Sequence, residues 1–147
     1  MTDRKTDYLK TEPLRIAQAQ MPVITDPAAC RDYLETAAEK AAGQKAQFLL
    51  LPEMFCCPYD TASFPEYAEE EGGPVYTLCS ELARKYGIYF SAGTIPERDS
   101  RDRIYNTAYV FDPEGRQIAK HRKMHLFDIQ VQGGQHFRES DVLSAGN

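Results

Sequence analysis

The sequence has no Cys-x-x-Cys pair, no long uninterrupted apolar run and no excess of basic charge, and each absence removes a class of function. Cys30, Cys56, Cys57 and Cys79 stand with three histidines but without the ligand spacing of a zinc site. The thiols therefore read as free groups in a reducing compartment, and no metal site is expected. A membrane span needs roughly 20 apolar residues in succession, which no segment approaches. The start, Met1 to Glu12, is polar and charged, without the apolar centre of a secretory signal. A net charge of −5 over 147 residues argues against a nucleic-acid partner, because phosphate binding needs a clustered basic surface. A soluble, cytoplasmic protein with neither membrane nor nucleic-acid partner is the expectation.

What is present is an ordinary globular composition, 42% hydrophobic and 27% charged, enough for one domain with a core. Residues 1–13 read as a polar leader, and the pattern that follows alternates strands and helices. Leu14 to Ala19 reads as a short strand whose Gln18 opens toward a site or an interface. Asp26 to Ala42 predicts a helix, with Asp26 as cap, Pro27 in the first position and Gly43 at a left-handed stop. Its narrow apolar face is Cys30, Leu34, Ala37 and Ala41. Gln47 to Leu51 is a continuous apolar run, hence a buried strand. Cys56 to Gly73 is mostly loop, with a short acidic helix near Pro65 to Glu71. A second helix runs from Pro74 to Tyr86 and stops at Gly87, and Ile88 to Ala92 is the next strand. Ile104 to Phe111 and Arg116 to His121 flank Asp112-Pro113-Glu114-Gly115, which fits a type I hairpin connection. The order predicts an α/β sheet of mixed direction. The tail from Asp128 to Asn147 is polar and Gly-rich, with no closing helix or strand.

Four residues can carry chemistry. Glu53 follows directly on a buried strand, where side chains meet a crevice, and partial desolvation there would suit a general base. Lys123 follows the last strand and, held beside a carboxylate, would stay protonated and stabilise an oxyanion. Tyr59 has an aromatic body and a polar tip suited to lining a pocket. Glu139 has nothing in its local composition to distinguish it. Taken singly, each of the four reads first as a surface residue.

Taken together they are recognisable. Leu51-Pro52-Glu53-Met54-Phe55, Pro58-Tyr59, Phe64-Pro65-Glu66-Tyr67-Ala68-Glu69, Ile104-Tyr105-Asn106-Thr107, Arg122-Lys123-Met124-His125-Leu126-Phe127-Asp128 and Glu139-Ser140 occur in one order. That series resembles the nitrilase superfamily of carbon–nitrogen hydrolases, and within it the ω-amidase-like branch. The resemblance implies that residues 14–147 form the N-terminal portion of a four-layer αββα sandwich. It implies an amidase that converts a small, carboxylated amide to acid and ammonia through a Glu–Lys–Cys triad without a cofactor. Glu53 matches the general base, Lys123 the oxyanion-stabilising lysine and Glu139 a second glutamate beside the triad. An N-carbamoyl amine hydrolase is also compatible, and a homo-oligomer is expected of the full-length protein.

The family's nucleophile lies after the second glutamate, and here no cysteine follows Cys79. Cys56 and Cys57 sit in the wrong element to replace it. The 147-residue chain alone is therefore expected to be inactive, and the abrupt end at Ser144-Ala145-Gly146-Asn147 reads as truncation. The alternative is a naturally short, inactive homologue that binds a carboxylate or pairs with a related subunit. A half-sandwich would leave apolar faces and strand edges uncovered, so poor solubility or molten behaviour is expected of it.

Overall fold

The computed structural model describes residues 13–130 and 136–147. Nearly all of the expected polar leader, 1–13, lies outside them. In chain order the elements are β1 (Ile16–Gln18), α1 (Pro27–Gly43), β2 (Phe48–Leu50), α2 (Phe64–Tyr67), α3 (Pro74–Tyr86), β3 (Tyr89–Ser91), β4 (Ile95–Arg98), β5 (Ile104–Phe111), β6 (Gln117–Arg122), β7 (Asp128–Gln130) and β8 (His136–Arg138). A 3-10 turn, Glu139–Asp141, follows. β1, β2 and β3 are parallel neighbours, and β5 runs antiparallel to β3, β4 and β6, which makes one mixed sheet of six strands. β7 and β8 form a separate antiparallel pair.

Both long helices begin and end for local reasons. Asp26 accepts from the Ala29 N–H at 2.7 Å and caps α1, with Pro27 in its first turn. The left-handed stop is Lys45, at φ 59°, and Gly43 remains helical. Ala46 N–H returns to the Ala41 carbonyl and Lys45 N–H to that of Ala42, and this pair of bonds places the reversal two residues beyond the glycine. α3 ends as expected, with Gly87 left-handed at φ 63°.

The two helices pack together on one face of the sheet. Leu34, Ala38 and Ala41 of α1 and Leu78, Cys79 and Leu82 of α3 close over Leu49, Phe90, Tyr109 and Phe111. On α1 Ala38 and Ala41 are the buried alanines, and Ala37 lies at the margin. Strand alternation sends the intervening residues to the other face. There Ile16, Phe48 and Tyr89 stand in one register row, Phe48 stacks on Tyr89, and Ile16 is 53% exposed.

Three features differ from the sequence reading. β4 contains a proline and two charged residues and carries no strand signal in the sequence, yet it pairs with β5 along its whole length. The tail is less open than its composition indicates: β8 pairs with β7, and Leu143 bridges to Ile104. The acidic helix is confined to Phe64–Tyr67, after which Glu69 leaves to bridge Glu97.

Candidate active site

Glu53 owes its place to a close approach of backbone. The ladder between β2 and β3 ends where Leu51 N–H donates to the Ser91 carbonyl, and the chain then turns at Met54, φ 50°. Thr94 Oγ1 accepts from the Met54 N–H at 2.9 Å and holds the turn. Gly93 passes so near that a Cβ on it would lie 1.9 Å from the Pro52 carbonyl oxygen. Lys123 arrives from the other side of the sheet: its N–H donates to the Asn106 carbonyl at 2.8 Å, continuing the β5–β6 ladder by one residue. Glu139 comes from the 3-10 turn after β8, with its N–H donating to the Phe127 carbonyl at 3.1 Å.

All four residues singled out in the sequence meet here. Lys123 Nζ donates to Glu53 Oε1 at 2.9 Å and to Glu139 Oε1 at 3.1 Å. Tyr59 donates its hydroxyl to Glu139 Oε1 at 2.6 Å and more loosely to Glu53 Oε1 at 3.4 Å. The phenol ring is fixed edge-on against Phe64 and stacked on Phe137. Glu139 is fully buried, contrary to its surface-like composition, and its other oxygen accepts from the Phe127 N–H at 2.6 Å. Glu53 is the open member of the group, with its side chain 45% exposed, so the desolvation expected at the strand end falls on Glu139 instead.

The electrostatics follow from these contacts. Burial works against the Lys123 ammonium, but its hydrogen bonds to Glu53 and Glu139 outweigh it and hold the lysine above its ordinary pKa. Burial also opposes ionisation of Glu139, yet Tyr59, the Phe127 N–H and Lys123 together keep its carboxyl below the usual range. Burial first, and then the hydrogen bond to Glu139, push the Tyr59 phenol well up. The result is a protonated lysine seated between two carboxylates, with a neutral phenol beside them.

Sequence reasoning missed one member. Asn106 Nδ2 donates to Glu53 Oε1 at 2.7 Å, and its Oδ1 is buried with no hydrogen-bond partner among the described residues. The available signal was a carboxamide inside an otherwise apolar or β-branched strand. A cleft of about 490 Å³ opens over the group, lined by Glu53, Asn106, His121, Lys123, His125 and Gly93. Cys56 and Cys57 take no part in it: both are buried, and Cys57 packs with Met54, Phe64 and Ile104. The Cys57 thiol and burial both push Cys56 up, away from thiolate character.

The model of the carbon–nitrogen hydrolase family matches residues 15–147. The chain belongs to that family. Within it, the chain is 45% identical over 132 residues to an omega-amidase NIT2 of Danio rerio, covering 90% of this chain and 47% of that protein. It is 50% identical over 109 residues to omega-amidase NIT2-B of Xenopus laevis, covering 74% and 39%. Among solved structures it matches Nit3 of Saccharomyces cerevisiae, a member of the nitrilase superfamily, with a TM-score of 0.76 and 34% identity over 90% of this chain and 48% of that one. The mixed α/β fold is thus that of nitrilase-superfamily hydrolases. The chain spans about half the length of these relatives, or less.

Proposed function

We propose that the whole protein hydrolyses the amide of a short dicarboxylic acid monoamide, releasing ammonia, with Glu53 as general base and Lys123 as oxyanion stabiliser. The observation that carries this reading is Lys123 Nζ seated between Glu53 and Glu139 at the mouth of a cleft. The nucleophile is a cysteine thiol supplied outside these 147 residues. Glu53 takes the thiol proton as sulfur attacks the amide carbonyl, and the tetrahedral oxyanion rests on the Lys123 ammonium and a backbone N–H. The proton on Glu53 passes to the departing amine and ammonia leaves, with a thioester remaining. The same carboxylate then takes a proton from water, hydroxide opens the thioester, and the proton returns to sulfur. Glu139 keeps the lysine charged and in place, Tyr59 holds Glu139, and Asn106 fixes the position of the Glu53 carboxylate. Homo-oligomer formation by the whole protein belongs to the same proposal.

The test is ammonia release from succinic acid monoamide by the whole protein, with butyramide as the uncharged comparison. Glu53→Gln and Lys123→Met should each lower the rate by about 100-fold or more, as loss of a base or an oxyanion donor does. Release that survives both substitutions would overturn the assignment. Equal rates on the two amides would leave an amidase but remove the carboxylated substrate. Absence of release from any amide by the unsubstituted whole protein would favour the inactive, carboxylate-binding reading.

A further inference from the structure

On the helix-covered face of the sheet, opposite the cleft, lies a second ionic cluster that the proposed chemistry does not use. Its centre is Glu97 on β4, only 2% exposed. Arg122 donates to it twice, Nε to Oε2 at 3.0 Å and a terminal nitrogen to Oε1 at 2.6 Å. Thr107 Oγ1 donates at 2.7 Å and Lys120 Nζ at 2.6 Å. The Arg122 guanidinium also lies 3.9 Å from the centre of the Tyr105 ring. One carboxylate therefore fastens β4, β5 and β6 together.

The residues so fastened are sequence neighbours of the site. Tyr105 and Thr107 flank Asn106, and Arg122 precedes Lys123. Strand alternation puts each pair on opposite faces, so what is held behind the sheet fixes what projects in front. A planar guanidinium bound at two nitrogens and stacked on a ring has little freedom to rotate or slide. We infer that Glu97, acting through Arg122 and Thr107, is a positioning residue that sets where Lys123 and Asn106 present their side chains to Glu53. It rests on the amidase reading given above only for its kinetic consequence.

The test compares Glu97→Gln and Arg122→Lys with Asp26→Ala, which removes the cap of α1 far from β6. Two readouts are taken on the whole protein: kcat and KM for the acid monoamide, and the nitrogen-15 resonance of the Lys123 ammonium, assigned by its loss in Lys123→Arg. Glu97→Gln and Arg122→Lys should lower kcat about 10- to 100-fold with KM little changed, the scale of a small misplacement of a reacting group. Both should broaden or abolish the Lys123 resonance while other lysine signals persist, and Glu97→Asp should recover part of each effect. Asp26→Ala should lower only the melting temperature. Substitutions that behave like Asp26→Ala, with kcat and the Lys123 signal intact, would overturn the inference. Should Glu97→Gln fail to fold, Arg122→Lys decides between the same outcomes. Should the unsubstituted protein hydrolyse no amide, the ammonium signal still decides the positioning role, so the two readings fail separately.

Discussion

Tyr59 shows how a single hydroxyl acts on a buried charge. Its hydrogen bond to Glu139 helps keep that carboxyl ionised against the pull of burial. A carboxylate whose folded pKa is depressed contributes stability above its unfolded pKa, and that contribution is lost as pH falls through the folded value. Tyr59→Phe keeps the ring contacts with Phe64 and Phe137 but removes the donor, so the folded pKa of Glu139 should rise. Denaturant melts at pH 7 should place the variant about 1–2 kcal/mol below the parent. The gap should narrow as pH falls below the ordinary glutamate range and through the depressed folded value of Glu139, where the carboxylate gains its proton. A gap that is constant with pH would mean that the hydroxyl does not act through Glu139. Glu53 and Lys123 were legible as candidates because each follows a strand, and the family resemblance singled them out. Glu139 was legible only by family resemblance, because its burial depends on contacts with Phe127 and Lys123 that its neighbours in sequence do not announce.

Among the elements, the helices were the most legible and the small strands the least. Proline and glycine mark both ends of α3, and Asp26-Pro27 marks the start of α1. β4 was hidden because Pro96, Glu97 and Arg98 are poor strand formers, and its pairing with β5 is a tertiary choice. β7 and β8 were hidden because each is only three residues long, and β7 is exposed throughout. The junction of β2 and β3 yields a prediction at this scale. Gly93 has φ 47° and no room for a Cβ beside the Pro52 and Leu51 carbonyls, which are backbone and cannot turn aside. Gly93→Ala should destabilise by more than about 2 kcal/mol, combining positive-φ strain with a steric clash. It should also spread the two strand exits and draw Glu53 away from Lys123. Thermal melts and ammonia release together check this: activity should fall further than in Asp26→Ala variants of comparable melting temperature. Intact activity would mean that the strand ends do not need this approach.

Among the described residues, the two long helices cover one face of the sheet. The mixed α/β arrangement was legible from the order of elements, whereas the complete layering depends on what meets the face bearing Ile16, Phe48 and Tyr89. β1 is an end strand of the sheet among the described residues, and Ile118 is also exposed, at 55%. Bare edges and apolar faces favour self-association. The 147-residue chain by itself should therefore bind a hydrophobic dye and sediment as a mixture. Ile16→Lys with Tyr89→Lys should reduce both effects. A monodisperse monomer with a sharp melt would count against that view.

The neighbours Arg122 and Lys123 have a consequence for how this protein can vary. Both are cations, they face opposite ways, and only the alignment of β6 on β5 decides which one reaches the cleft. That alignment is set by the turn at Asp112 to Arg116, where Asp112 accepts from the Glu114 and Arg116 N–H groups and from the Arg116 guanidinium. Adding or deleting one residue there would shift the strand by one place and exchange the two cations. The cleft would then hold a guanidinium, which keeps its charge but spreads it over a plane instead of presenting the single compact ammonium of lysine. Lineages should thus tolerate substitutions in this turn far more readily than changes in its length.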